Sequence, residues 1–590
     1  MPFLQDHPRF AGISLPPSGW VLAILLALYI CVGLIGHDPW KHDDAITIAL
    51  VYDIYTSGHW LMPQLAGQPY PDAPLYYWVA AGAAHLFSWI LPLHDTTRLA
   101  SGAFTLLALE FILLAARELH GKEHAASAPL ALAGSIGFLY HAHEAQPMLA
   151  ALCALTAAYW ALALLPRRPR FAALILGGAL AGGFLANGML PLLTMLLAAF
   201  LACWKSENKP LFAAHLAGAA LLAAALIGAW ILPLSSRDPE YFARFLATET
   251  TPLFAAHNPA ANILRQLSLL VWYAWPALPL AAWALWAKRR ALTTRAMAWP
   301  GLAFIATLLL LGVGVEVRSA PALLLLPPLV LIAAPGVAVL RRGAANAFDW
   351  FGMMTFTFFA GLTWIAWSAI TFGWPERLAR QAARLEPGFV ARFDLMTVLI
   401  ALACTLTWFW LIVTSPRSPM RGLMHWMAGL TLFWVLIANL LMPWIDYGKS
   451  YRPVAGQLSA ALPARIQDGK PERGRCIANG NLPNSILASF YYFDNLRTLP
   501  LESEDGKRCN WLLVHGEVRD AAGMSAAGWR KVWEGKRPGD RRESDKFHVY
   551  RRERNRPAAE LPELPPTDTR ETALPAPRPS TPAPASPPAP

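Results

Sequence analysis

The feature that most constrains this chain is the recurrence of long apolar runs. A helix needs about 20 mostly apolar residues to cross the hydrocarbon core of a bilayer, and fourteen stretches here are candidates. They lie near 16–36, 75–93, 98–116, 127–140, 148–165, 171–187, 189–204, 211–234, 267–287, 298–314, 321–340, 351–373, 395–414 and 423–443. Of the 590 residues, 55% are hydrophobic and only 15% are charged, against roughly a quarter charged in soluble domains. A multidomain cytosolic enzyme and a mostly disordered chain are therefore both excluded. The first run has no small-residue cleavage site, so it reads as a span rather than a cleaved signal.

Charge placement then orients the chain. One set of short loops carries fifteen cations: Arg117 and Lys122; Arg167, Arg168 and Arg170; Lys205 and Lys209; Lys288, Arg289, Arg290 and Arg295; Arg341 and Arg342; Arg417 and Arg421. The short loops between them (139–147, 188–190, 315–320) carry only Arg318. This alternation puts the cationic loops in the cytoplasm. It holds only if 75–93 lies in the outer interface instead of crossing. About thirteen spans are then expected, with the N-terminus cytoplasmic and everything after Trp444 periplasmic. The surplus of 49 − 38 = 11 positive charges is chiefly this topological signal and not a nucleic-acid footprint.

The fold class expected is mainly α: a transmembrane domain over 1–444, then a small periplasmic α/β domain over 445–555. In that second part, β-type runs at Arg475–Ala478, Trp511–Val514 and Phe547–Tyr550 alternate with helical runs at Ser450–Leu462 and Ile486–Tyr492. The tail 556–590, with 12 Pro in its last 34 residues, reads as a disordered extended spacer. Cys31, Cys153, Cys203 and Cys404 fall in apolar spans. Cys476 and Cys509 sit beside two expected strands, where a disulfide fits an oxidising compartment and spacing leaves the pairing open.

Three outer segments are long enough for chemistry: 37–97, 235–266 and 374–394. The first opens with adjacent carboxylates, Asp43 and Asp44, where an apolar phase meets water. Desolvation and like-charge proximity there favour proton exchange near neutral pH, which suits a general base. The alternative is that both simply solvate the end of a span.

The run from Pro39 to Trp60 (PWKHDDAITIALVYDIYTSGHW), followed by Pro63, Gly67, Tyr70, Pro74 and Tyr77-Trp78, resembles the first external loop of GT-C type membrane glycosyltransferases. It is most similar to the bacterial aminoarabinose transferases of lipid A and to protein O-mannosyltransferase relatives. Arg98–Ser101, Gly182–Gly188, Asp238–Phe245, Pro321–Pro328 and Pro443–Val454 extend the resemblance in order over roughly 16–450. It implies inverting sugar transfer from a polyprenyl-phosphate-linked donor to a lipid A, glycan or protein acceptor at the periplasmic face of the inner membrane. Asp43 would be the catalytic base and Asp44 its acidic neighbour. No nucleotide site is needed, and the sequence contains no Walker-type loop or dinucleotide fingerprint.

The chain departs from the family pattern where the donor phosphate would be neutralised. Asp72-Ala73-Pro74 replaces Glu-Lys-Pro, and Ala186-Asn187-Gly188 replaces Thr-Lys-Gly. Gln146 stands where an Asp is usual, with Glu144 two residues earlier. Positive charge is still required on a leaving phosphate. The candidates are Lys41, His42, Arg98, Arg237, Arg244, Arg265 and Arg318, with Tyr70, Asp72 and Glu144 as further substrate-binding positions. Arg318 stands out as the only cation in the short external loops, with an ion pair to Glu316 as its alternative. His141, His143 and Glu144, or His37, His42 and Asp43, lack the tight spacing of a committed metal motif. A divalent metal ion held by Asp43 or Asp72 with the donor phosphate is the one cofactor these residues admit. Two other readings of the chain stay open at this stage: a lipid-linked-sugar transporter or flippase, and a catalytically degenerate scaffold of the same fold.

Overall fold

A computed structural model of the chain describes residues 19–314, 317–463, 476–516, 521–553 and Leu564. Arg475, Glu316 and the Pro-rich tail expected at 556–590, apart from Leu564, fall outside them. Among the described residues, eight helices are long and apolar enough to cross a membrane. They are Leu93–His120, Pro147–Leu164, Pro169–Asn187, Lys209–Arg237, Arg295–Val313, Arg342–Phe372, Leu395–Thr414 and the run Arg421–Ala461. A bent pair, Pro259–Tyr273 and Ala277–Ala287, meets at 101° and would make a ninth. Two shorter apolar helices, Met189–Trp204 and Pro321–Val337, complete the set.

The expectation of about thirteen spans runs ahead of these elements at one place in particular. The apolar stretch 127–140 forms two seven-residue helices, Ser127–Ala133 and Ile136–Ala142. Each is about 10 Å long at 1.5 Å per residue, well short of a roughly 30 Å core. Hydropathy alone does not show the break at Gly134-Ser135.

Burial separates the helices by role. Pro147–Leu164 is apolar on every side and 94% buried, so it is the central post of the bundle. Lys209–Arg237 and Leu395–Thr414 are equally apolar yet only 17% buried. Their exposed Leu and Phe side chains suit lipid rather than water. Close approach between helices uses small residues: a Cβ on Gly177 would lie 2.9 Å from the Ala219 carbonyl of the neighbouring helix.

Between Gly36 and Leu93 the chain stays at one end of the bundle. It forms helix His42–Ser57, a two-residue hairpin (Gln64–Leu65 with Gln68–Pro69) and helix Leu75–Phe87. This last helix has 13 residues, about 20 Å, which is too short to span. It buries Tyr76, Tyr77, Ala80, Ala81 and Ala84 and exposes Leu86 and Phe87, the two-sided pattern of an interfacial helix.

The C-terminal part is an α/β unit. Strands Leu499–Pro500, Ile477–Asn479, Trp511–His515, Phe547–Arg552 and Trp529–Gly535 form one sheet in that order. The first three are parallel and the last two antiparallel to their neighbours. Helices Arg452–Ala461 and Asn484–Asp494 pack on it. Cys476 and Cys509 form a disulfide beside the sheet, with Cα atoms 5.0 Å apart. The unit docks on helix His42–Ser57: Tyr491 donates to the buried Asp53 at 3.3 Å, and Arg452 pairs with Asp38.

Candidate active site

Asp43 and Asp44 occupy the first turn of helix His42–Ser57, where free backbone N–H groups and the positive end of the dipole favour carboxylates. Neighbours on a helix point about 100° apart, and that rotation divides the pair. Asp43 faces a cavity of about 500 Å³, and its Oδ2 accepts a 2.8 Å hydrogen bond from Gln146 Nε2.

Asp44 turns inward and is 1% exposed. Its two oxygens accept from Arg98 Nε at 3.0 Å and Nη2 at 2.6 Å, and Oδ1 also accepts from Ala145 N at 2.7 Å. Arg98 is fully buried, also donates to the His37 carbonyl at 2.8 Å, and lies 3.4 Å from Asp95. The expectations for Asp44 and Arg98 are therefore corrected: neither lines the cavity. Each is held by the other, so Asp44 is not placed to contact substrate, nor Arg98 a leaving phosphate. Together with Ala145 they tie the helix start to Leu93–His120 and to the turn before Pro147.

Tyr70 and Asp72 form one wall of the cavity. The Tyr70 carbonyl accepts from Tyr241 Oη at 2.8 Å, which anchors this loop to helix Pro239–Thr250. Asp72 accepts from the Tyr77 hydroxyl and from Ala73 N. Burial pushes its carboxyl up to about 6; these hydrogen bonds oppose the rise and the nearby Asp43 charge adds to it. Asn187 lies nearby, at the junction where Gly188 adopts φ +65°. A Cβ on Gly188 would collide with the Glu249 carboxylate, which caps Met189 N at 2.8 Å.

Glu144 lies at the cavity edge but is already engaged. It pairs with Lys41, whose ammonium sits 4.5 Å from the Tyr140 ring centre, and lies 3.5 Å from His141 Nδ1. Burial works against the Glu144 charge, yet Lys41 and His141 outweigh it and hold the carboxyl at about 2. The segment Arg318–Pro321 also lines the cavity, and its Ser319 carbonyl accepts from Tyr273 Oη at 2.7 Å. The Glu316 partner considered for Arg318 lies outside the described residues.

Arg265 is misplaced by the sequence reading: it sits on the exposed face of helix Pro259–Tyr273 and does not line the cavity. Arg244 points toward Glu240 on its own helix at 3.9 Å. Lys449 and Arg537, which sequence reasoning did not select, do line the cavity from the C-terminal part. Arg537 packs over Tyr451 at 4.4 Å and pairs with Asp540 at 2.9 Å. No local motif marks either residue, and only folding brings them to Asp43, which lies 406 and 494 residues earlier in the chain.

Among the described residues, no group of three or more His, Cys, Asp or Glu has the arrangement of a metal site. His143 is turned away: its Nε2 donates to the Tyr29 carbonyl at 2.6 Å and its ring stacks on Trp434 at 4.6 Å.

No protein-family model matches the chain. It is 28% identical over 243 residues to the undecaprenyl phosphate-alpha-4-amino-4-deoxy-L-arabinose arabinosyl transferase 1 of Sodalis glossinidius. That match covers 40% of this chain and 43% of the relative, so less than half of the relative's length is spanned. The crystal structure of ArnT from Cupriavidus metallidurans bound to undecaprenyl phosphate superposes with a TM-score of 0.65 at 16% identity, covering 91% of this chain and 98% of ArnT. The apo form of the same protein gives 0.60 at 15% identity, covering 90% and 98%. The chain therefore has the ArnT fold and resembles the GT-C type membrane glycosyltransferases.

Proposed function

We propose that this protein is an inverting glycosyltransferase that moves a sugar from a polyprenyl-phosphate-linked donor to a cell-envelope acceptor at the periplasmic face of the inner membrane. The acceptor is a lipid, glycan or protein, and lipid A is the member of this set that the resemblance of the first external loop implies. The observation that carries the reading is the Asp43 carboxylate, held by Gln146 and facing a cavity that also presents Arg318, Lys449 and Arg537.

Transfer needs a base for the acceptor hydroxyl and positive charge for the leaving phosphate. In this reading the acceptor oxygen gives its proton to Asp43 and attacks the anomeric carbon. The anomeric carbon–oxygen bond to phosphate breaks with inversion, and polyprenyl phosphate leaves with the bonding electrons. Arg318, supported by Lys449 and Arg537, neutralises that phosphate in place of the lysines absent at Ala73 and Asn187. Asp72 and Tyr70, which line the same cavity, meet the sugar. Asp44 and Arg98 act as positioning residues through the helix that carries Asp43. The loop cations support an N-terminus in the cytoplasm and a C-terminal α/β domain (445–555) in the periplasm, above the cavity.

The test is sugar transfer from a labelled polyprenyl-phosphate donor by the purified full-length protein and its Asp43→Asn variant. The variant should lose at least about a hundredfold in turnover while keeping its thermal unfolding point. Undiminished transfer would refute the assigned base.

A further inference from the structure

A second cavity, of about 420 Å³, opens at the other end of the bundle among helices Leu93–His120, Pro147–Leu164 and Pro169–Asn187. Arg98, behind the Asp43 cavity, and Arg117, in this one, share a helix and lie nineteen residues apart. That is about 28 Å along its axis, the thickness of a hydrocarbon core. The two cavities thus sit at opposite membrane boundaries.

Four cations line this second cavity, Arg117, Lys122, Arg167 and Arg168, against one carboxylate, Glu118, which accepts from Arg167 at 2.7 Å. The remaining wall is aromatic. Trp160 stacks on Phe111 at 5.6 Å and meets Phe171 edge-on at 6.3 Å, and Phe171 is 49% exposed. Cations that only orient a chain in the membrane need no cavity. Here they frame one whose wall runs into the lipid-facing surface. A cationic rim above an apolar wall at the boundary matches an amphiphile with an anionic phosphate head.

We propose that this cavity is a binding site for the phosphate headgroup of an anionic lipid in the leaflet opposite the Asp43 cavity. The site is independent of the transfer reaction and is read by binding alone. Native mass spectrometry of the full-length protein, titrated with dioleoyl phosphatidylglycerol and separately with dioleoyl phosphatidylcholine, tests it. The wild type binds the first phosphatidylglycerol more tightly than phosphatidylcholine. The variant Arg117→Gln/Arg168→Gln weakens that first event about tenfold or more, and Arg117→Lys/Arg168→Lys keeps it within about threefold. Both substituted side chains, Arg117 and Arg168, are exposed, so packing is not disturbed. Equal affinity for the two lipids, or an unchanged first event in the Gln variant, overturns the site. Millimolar inorganic phosphate should fail to displace phosphatidylglycerol; displacement would assign the same cations to a soluble phosphate and overturn the lipid.

Discussion

Replacing Asp44 by Asn tests the division of labour between the two adjacent carboxylates. Asp44 and Arg98 are 1% and 0% exposed and share two hydrogen bonds of 3.0 and 2.6 Å. Removing the charge of one member of such a pair leaves the other buried and uncompensated, at a cost of about 3–5 kcal/mol. Two features of this site hold the cost near the lower end. Asp95 stays 3.4 Å from Arg98, and an amide oxygen at position 44 can still accept from Ala145. The expected loss is therefore about 3 kcal/mol, at the low end of that range. Denaturant unfolding in mixed micelles measures it, with Asp44→Asn, Arg98→Met and the double variant closing a cycle. The two single losses should exceed the double loss by about 2 kcal/mol or more, since the groups touch. Turnover per folded molecule should fall far less in Asp44→Asn than in Asp43→Asn. Additive losses, or wild-type stability with abolished transfer, would show that Asp44 acts on substrate and that the pair is not its role.

Asp72 carries a pH signature. Its folded carboxyl keeps a proton up to about 6, higher than an unfolded Asp at about 3.9, so its contribution to stability is greatest below that lower value and falls as pH rises through 6. Function runs the opposite way: below pH 6 the protonated group loses its acceptor role, and the donor KM should rise. That limb should vanish in Asp72→Asn, and its persistence would assign the limb elsewhere. Arg318→Gln removes a charge-assisted contact of about 1.5–3 kcal/mol and should raise donor KM by tenfold or more, while Arg265→Gln leaves it unchanged; equal effects would argue against Arg318. Replacing Cys476 and Cys509 by Ser opens a loop of 33 residues and should destabilise the C-terminal unit by about 4 kcal/mol, read by limited proteolysis with and without reductant. Unchanged protease resistance would show that sheet packing alone holds the unit.

How far the site could be read in advance depended on the range of the interactions involved. Apolar runs and Pro/Gly punctuation are local properties, so the bundle was visible along the chain, as was the short interfacial helix Leu75–Phe87. The Asp43-Asp44 pair was legible too, because two carboxylates beside an apolar run are conspicuous in any context. Which of them faces the cavity was not, since that depends on a 100° turn of a helix whose partner, Arg98, lies 54 residues on. Arg265 was selected for its charge and loop position, but the rotation of its helix points it to the surface.

The remaining cations make the same point at longer range. Lys449 and Arg537 reach the cavity because Tyr491 and Arg452 clamp the C-terminal unit to helix His42–Ser57 and its flank. Lys41 was a free candidate along the chain, yet in the folded protein Glu144 claims it. Hydrophobicity and helical period are written residue by residue and survive without a partner. A charge acquires its role only from what stands within a few ångströms of it, and that neighbourhood exists only once distant segments have packed together.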